Sequence, residues 1–389
     1  MKSRIIIIGG GVVGASVARH LSMRGGCEVV VLDRGKSIAT GSTGRATGGA
    51  RVQFGTETNI LMSKYSIDFI RHWDRNCDYD PKGYLFFATS DIGLSSLERN
   101  LELQKSVGVT STRRVTREEI GEICPLINTE DIVGGTFGHE DGFINPIQLA
   151  TGFRDEAIEH GARFEYGVDV NSISMSGERV SGVITQDGEL GCDAVVLCTG
   201  AHVAELGRTV GIDIPVTPQR RQIVWARNEF QLPESLSMVI DVESGFHFRP
   251  ARDFSDPQST ASHDQLLFAW PDPSDDSTSD EFDESFIPAV FSRAKQRLTM
   301  HDSLRIMPEK CRAGLYENSP DHHGIIGPAG PEGLFLACGF SGHGVMHSPA
   351  TGRAISELLL DGHCDFMDIS PLGFDRFADG RLLEESSFI

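Results

Sequence analysis

Three things are scarce in this 389-residue chain: long apolar runs, closely spaced cysteine pairs and basic charge. No apolar stretch approaches the ~20 residues of a membrane helix, so no span is expected. The eight cysteines include no Cys-x-x-Cys and are too thinly spread for a secreted disulfide scaffold; buried thiols and no metal site are the expectation. Lysine and arginine number 35 against 55 acids, a formal charge of −20, which argues against nucleic acid or anionic membrane as partners. The first strand begins at residue 4 or 5, which leaves no room for a signal peptide before it, and a cytoplasmic location is expected. Glycine is plentiful, 43 residues in a chain that is 39% hydrophobic and long enough for two domains.

The glycines gather first behind an apolar run. Ile5 to Ile8 read as a buried parallel strand, and Gly9-Gly-Gly11-Val-Val-Gly14 opens a helix after it. Gly9 permits the turn, Gly11 lets the backbone approach a pyrophosphate, and Gly14 lets the helix pack close on the strand. A second strand, Glu28 to Leu32, ends at Asp33, whose carboxylate suits the hydroxyls of an adenosine ribose. Strand, helix, strand and acid in register indicate a dinucleotide, either NAD(P) or FAD.

The small-residue loop from Gly41 to Arg51 follows, with Ser42, Thr43 and Arg45 and no apolar anchor, a composition that can lie along an extended ligand. Helices are expected over 56–76 and 93–107, a strand over 83–88, and a capping box at Thr116-Arg-Glu-Glu119. A helix enters at Asn145-Pro146; then come a strand near 163–166 and a β-meander with turns at Gly177 and Gly188. Cys192 to Thr199 reads as a buried strand that rejoins the nucleotide-binding sheet, which makes that domain discontinuous. Strand-like runs at 222–227, 238–242, 246–249 and 266–270 form a second, antiparallel sheet whose inner face walls a substrate pocket. Two Ser/Asp-rich loops, 251–264 and 271–284, are read as mobile. Strand 334–338 then delivers a second glycine-rich loop, and Ser348 is placed as the cap of a helix with Pro349 in its first turn, running to about Leu360. That helix start suits a group that becomes negative, such as the pyrimidine edge of a reduced flavin.

Three separated motifs coincide: Gly9-x-Gly11-x-x-Gly14 with Asp33, the loop Gly41 to Arg51, and Gly314-Leu-Tyr-Glu-x-x-Pro-Asp321 with Gly339-Phe-Ser-Gly-His-Gly344. Together they make the chain resemble the flavin-dependent D-amino-acid oxidase superfamily over nearly its whole length. The nearest likeness is to the sarcosine oxidase-like branch, which holds β subunits of heteromeric sarcosine oxidases and proline dehydrogenases. The resemblance implies an α/β fold: a discontinuous FAD-binding Rossmann-type domain (1–82, 145–215 and 305–389) and an antiparallel-sheet α+β substrate domain (83–144 and 216–304). It also implies oxidation of the C–N bond of a small amino or imino acid by hydride transfer to flavin N5, the imine then hydrolysing. The cofactor contacts implied are Gly9, Gly11, Gly14, Asp33, Arg34, Ser42, Thr43, Arg45, Gly48, Gly49, Val170, Thr199, Gly200, Gly314, Gly339, Ser341, Gly342, His343, Gly344 and Val345.

The chain also departs from that pattern. Gly314 stands where single-chain sarcosine oxidases attach FAD through a cysteine, with Cys311 three positions away, so noncovalent FAD is expected. Met346 replaces a substrate-gripping lysine, and Phe54 falls where an arginine is expected, with Arg51 the nearest alternative. No lysine lies within 266–270, and Asn145 replaces a histidine that carries a second flavin in some β subunits. These departures favour a dehydrogenase over an oxidase. A 2-hydroxy acid oxidoreductase and a flavin-containing partner subunit with little activity of its own are the alternative readings; a homo-oligomer or a partner subunit is left open.

For the substrate carboxylate, Arg249 is the first choice and Arg51 the second, because guanidinium forks match carboxylates. His247 is either a substrate contact or a plain sheet histidine. Arg220 and Arg221 are assigned to acids near the domain junction. His343, inside a glycine loop next to a helix start, is taken as an active-site histidine, and His322 and His323 as supports of their loop.

Overall fold

The computed structural model describes residues 3–254 and 262–386; part of the expected loop 251–264 therefore lies outside the described residues. The chain opens with β1 (Ser3–Ile8), α1 (Val12–Arg24), β2 (Cys27–Asp33), α2 (Glu57–His72), β3 (Tyr84–Ala88) and β4 (Gly134–Gly138). The middle runs α3 (Pro146–Glu159), β5 (Arg163–Tyr166), β6 (Ala194–Leu197), β7 (Thr217–Asn228), β8 (Met238–Asp241), β9 (His247–Pro250) and β10 (Gln265–Ala269). It closes with α4 (Phe286–Arg297), β11 (Arg312–Asn318), β12 (Ile325–Pro328), β13 (Leu334–Cys338) and α5 (Gly344–Asp361).

The first sheet has six strands in the order β12-β13-β6-β1-β2-β5, parallel except for β12 against β13. One face buries Ile5, Ile7, Val29, Val31 and Val196 against Val17 and Leu21 of α1 and Ala350 and Ile355 of α5. The other face buries Ile6, Ile8, Val30 and Leu32 against Ile173 and Val183 of a three-stranded meander over residues 170–191. Burial on both faces is why the isoleucines run without a polar break. The 163–166 strand belongs to this sheet and not to the meander.

The second sheet has nine strands, with β7-β10-β9-β8-β3-β4 at its centre and β11 paired to β7. It is antiparallel with one exception: β3 and β8 run parallel, because the chain goes on through β4 and then the other sheet before it returns, with no hairpin to set the direction of β8 against β3. β11 falls in the segment that the sequence division grouped with FAD binding, yet it is part of this sheet. Alternation sorts the side chains. Leu85, Phe87, Val224, Val239, Phe248, Leu266 and Phe268 pack against Phe286, Val290 and Ala294 of α4. The opposite face, with Tyr84, Arg221, Met238, Ile240, His247 and Ala269, lines a cavity.

The capping box at Thr116 and Glu119 is present, and Asn145 caps α3 by accepting from the N–H groups of Ile147 and Gln148, each at 3.1 Å. None of the eight cysteines is in a disulfide. Among the described residues no helix is long and apolar enough to cross a membrane.

Candidate active site

A cavity of about 670 Å³ runs from the carboxyl ends of β1, β2 and β6 to the second sheet. At its first end the Asp33 carboxylate is fixed through both oxygens, accepting from the N–H of Gly10 (2.5 Å) and of Gly35 (2.6 Å). α1 starts at Gly11 without a side-chain cap, so backbone N–H groups of its opening turn face a ligand. Gly14 does not line the cavity; a Cβ there would meet the Gly9 carbonyl oxygen at 1.9 Å, so only glycine allows this helix to sit on its strand. Thr43 accepts from the Val12 N–H at 3.1 Å. The buried Thr199 hydroxyl lines the same end with no hydrogen-bond partner among the described residues, an orphan that a ligand's polar atom would satisfy. Arg34, Val170 and Gly200 complete this end. Uncapped helix, fixed acid and orphan hydroxyl fit the pyrophosphate and adenosine of a dinucleotide.

The loop Gly41 to Arg51 is tied down rather than free. Ser42 donates to the Leu315 carbonyl (2.9 Å), and Arg45 pairs with Asp280 and donates to the Ala313 carbonyl (3.3 Å), so both side chains anchor the loop to β11 and its neighbour. The loop 271–284, expected to be mobile, is fastened as well. Arg220 bonds Asp275 at 2.8 Å and the Ser277 carbonyl at 2.8 Å, and Gln222 accepts from the Asp283 N–H at 2.7 Å.

The other end of the cavity collects Arg51, Tyr84, Arg221, His247, Tyr316, the glycine-histidine loop and Met346. α5 begins at Gly344, four residues before the expected cap, with Pro349 inside it. Proline lacks the N–H that would bond the Val345 carbonyl, and the Ser348 hydroxyl donates to that carbonyl instead at 2.8 Å, so the helix passes through. His343 is thus the uncapped N-terminal residue of α5. Gly342 has φ 92°, and a Cβ there would meet the Tyr316 ring at 2.4 Å; the loop and β11 touch at this point. Gly48, Gly49, Gly314, Gly344 and Val345 line the cavity, whereas Gly339 and Ser341 lie behind it, where the Ser341 hydroxyl accepts from the Ser319 N–H at 3.2 Å.

Charge here comes from guanidinium groups. Arg51 is buried 3.9 Å over the Phe54 ring and donates to the Gln53 carbonyl. Phe54, at the place where an arginine was expected, also meets the His343 ring edge-on at 4.8 Å. Burial, and then the Arg51 charge, hold His343 well below its ordinary value, so it is a neutral imidazole. Burial likewise lowers His247 to about 4. Glu317, accepting from the Gly339 N–H at 2.9 Å, is pushed up to about 7 by burial. The loop under Phe54 is held from the chain's far end: Glu385 accepts from Gly55 N–H (2.7 Å), the Thr56 hydroxyl (3.1 Å) and the Asn59 amide (2.9 Å).

Two arginine expectations change. Arg249 does not line the cavity; it lies on the same sheet face as His247 but is packed 4.2 Å from the Phe143 ring. Arg221 was assigned to acids, and only its neighbour Arg220 pairs with them, at 2.8 Å to Asp275 and 3.5 Å to Asp283. Arg221 faces the cavity 5.2 Å from the Tyr316 ring, its Nε buried and without a hydrogen-bond partner among the described residues. Tyr84, Tyr316 and Glu317 also line the cavity, and sequence reasoning gave none of them, nor Arg221, a part in the site. The signal for Arg221 was strand alternation, since consecutive arginines on a strand point to opposite faces.

A helix start opening on each end of one cavity, between the two sheets, fits a dinucleotide-dependent oxidoreductase, and the start of α5 would face the cofactor's reacting ring. The chain belongs to the DAO family of FAD-dependent oxidoreductases, whose family model matches residues 4–358, and FAD is its cofactor. FAD-dependent oxidoreductase domain-containing protein 1 of Bos taurus is 29% identical over 435 residues, covering 99% of this chain and 86% of the relative. Mitochondrial dimethylglycine dehydrogenase of Rattus norvegicus is 24% identical over 98% of this chain, which spans 46% of that relative. Among solved structures, L-proline dehydrogenase from P. horikoshii is similar with a TM-score of 0.87 and 26% identity, over 98% of this chain and 99% of that one. The family, the α/β fold and the cofactor expected from the motifs are borne out.

Proposed function

We propose that this enzyme oxidises the C–N bond of a small amino or imino acid. When bound, FAD supplies a hydride acceptor, and it is held noncovalently: of the eight cysteines only Cys198 lines the cavity, at the dinucleotide end. The observation that carries the reading is Arg221, a cation at the cavity wall whose buried Nε has no hydrogen-bond partner among the described residues. A substrate carboxylate matches that unmet donor, and Arg51, like Arg221, acts electrostatically on both Tyr316 and His247. The positive field of Arg51 and Arg221 favours a neutral amine, the form that can release hydride. His343, a neutral imidazole, offers a hydrogen-bonding ring nitrogen without adding charge. Met238, Ile240 and Met346 exclude water around the reacting carbon.

The test mixes purified enzyme anaerobically with glycine, proline, N-methyl amino acids, D-amino acids and 2-hydroxy acids while flavin absorbance is followed. Bleaching by an amine and not by hydroxy acids is expected; bleaching by hydroxy acids alone would sink the reading. Acid precipitation should leave the yellow colour in the supernatant, whereas a yellow pellet would refute noncovalent binding.

A further inference from the structure

Arg51 is a cation at the reacting end of the cavity, and its seat is assembled from distant parts of the chain. Its guanidinium lies 3.9 Å over the ring of Phe54, and that same ring meets His343 edge-on at 4.8 Å. Two cavity residues thus rest on one fully buried side chain. Gly55 and Thr56 then lead into α2, with Thr56 as an N-cap whose hydroxyl makes no cap bond.

Glu385 supplies what that turn lacks. Its carboxylate accepts from the Gly55 N–H (2.7 Å), the Thr56 hydroxyl (3.1 Å) and the Asn59 amide (2.9 Å), so a negative charge sits at the positive end of a 16-residue helix. Glu385 is itself held from both sides. The Leu383 N–H donates to Asp321 at 3.3 Å, and the Ser386 hydroxyl donates to Asn100 at 3.0 Å. Asp321 is in turn locked in an ion pair with buried Arg376 at 2.8 Å. A carboxylate fastened this way, bonded to the residue that follows Phe54, is a fixed charge.

That charge reaches Arg51. Burial depresses the guanidinium's ordinary value, and Glu385 is the first of the charges that oppose this, ahead of Asp141. Asp141 accepts from the Val52 N–H and the Gln53 amide, each at 2.8 Å, and burial pushes it up to about 7, so it is only partly charged near neutrality. Tyr84 and Tyr316 also act on Arg51, and burial raises both, which keeps them neutral. Burial lowers His343, His347 and His247, which leaves these rings neutral too.

We propose that Glu385 is a positioning residue of the reacting end: it fixes the turn on which Phe54 seats Arg51 and, as a fixed negative charge, offsets the guanidinium. It thereby sets how strongly this end of the site draws negative charge onto the cofactor. The inference rests on the reacting ring of FAD lying here, and it holds whichever substrate is oxidised.

The test reads the two-electron midpoint potential of FAD-loaded enzyme against a reference dye, with no substrate present. Glu385→Gln keeps an oxygen for the Gly55 N–H and removes the charge. It should shift the reduction equilibrium about threefold toward reduced flavin, a rise of about 15 mV. Glu385→Asp keeps the charge and shortens the reach; it should melt lower than the parent and move the midpoint by less than half that rise. Arg51→Met should lower the midpoint, and the double variant Arg51→Met with Glu385→Gln, having lost one charge of each sign, should lie near the parent. Glu57 is an exposed acid in the first turn of α2, and Glu57→Gln should leave the midpoint near the parent value. A midpoint that falls or stays in place in Glu385→Gln would overturn the proposal. An equal rise in Glu57→Gln would do so as well, by making the effect one of net charge alone, and so would an equal rise in Glu385→Asp, by assigning it to the turn's geometry. Since no amine enters the experiment, failure of every amine to bleach the flavin would sink the proposed function and leave this inference standing.

Discussion

Arg220 and Arg221 are adjacent, yet strand alternation sends one to the acids of loop 271–284 and the other to the cavity, where its Nε is unmatched. If Arg221 holds the substrate carboxylate, Arg221→Met should raise the substrate dissociation constant in rapid-reaction flavin reduction by roughly 10–100-fold, with a smaller change in the limiting rate. Arg220→Met should leave that constant near the parent value. Glu317 makes a different prediction. Its carboxyl titrates at about 7 in the folded protein against 4.5 as the reference value, so the folded state holds the extra proton between those values. Its contribution to stability is full below about 4.5 and lost as pH rises through 7, on the order of 3 kcal/mol at most. His247, lowered to about 4, acts in the opposite sense, losing stability as pH falls below its unfolded value. Urea unfolding of apoprotein between pH 5 and 8 should therefore show Glu317→Gln gaining on the parent as pH rises; parallel curves would refute the assignment.

At the scale of elements, the first βαβ unit was legible because its determinants are local: a doubly buried strand, three glycines and an acid, all within 33 residues. Gly14→Ala should cost about 3 kcal/mol in thermal unfolding and abolish FAD retention, because its Cβ would meet backbone rather than a side chain that can turn away. The start of α5 was misread because Ser-Pro is a strong start signal on local grounds, whereas here the Ser348 hydroxyl takes over the carbonyl that Pro349 leaves unbonded. The places of Arg221 and Arg249 were illegible for a related reason. Alternation within a strand can be read from sequence, but which face meets the cavity depends on partners as distant as β11 and β3, and no local signal carries that register. Gly342→Ala, with φ 92° and a Cβ against Tyr316, should displace that ring and weaken FAD binding, as measured by fluorescence on release of the flavin.

Across the whole molecule, the chain passes from the parallel sheet to the second sheet after β2, back at β5, out again at β7 and home at β12. Each sheet is completed only by strands from both sides of the other. Calorimetry of the holoenzyme should give one unfolding transition; two well-separated peaks would mean that the sheets are independent units after all. FAD at a hundredfold excess over its dissociation constant should stabilise that transition by about 2.7 kcal/mol.

The same threading governs how the chain can be made. β1 leaves the ribosome long before its neighbour β6, Ala194–Leu197, and longer still before the strand that completes the row, β13, Leu334–Cys338. At about 5–20 residues per second, a four-isoleucine edge waits tens of seconds for its cover. The nascent chain is thus exposed to aggregation until β13 is made, and flavin loading has to await that strand.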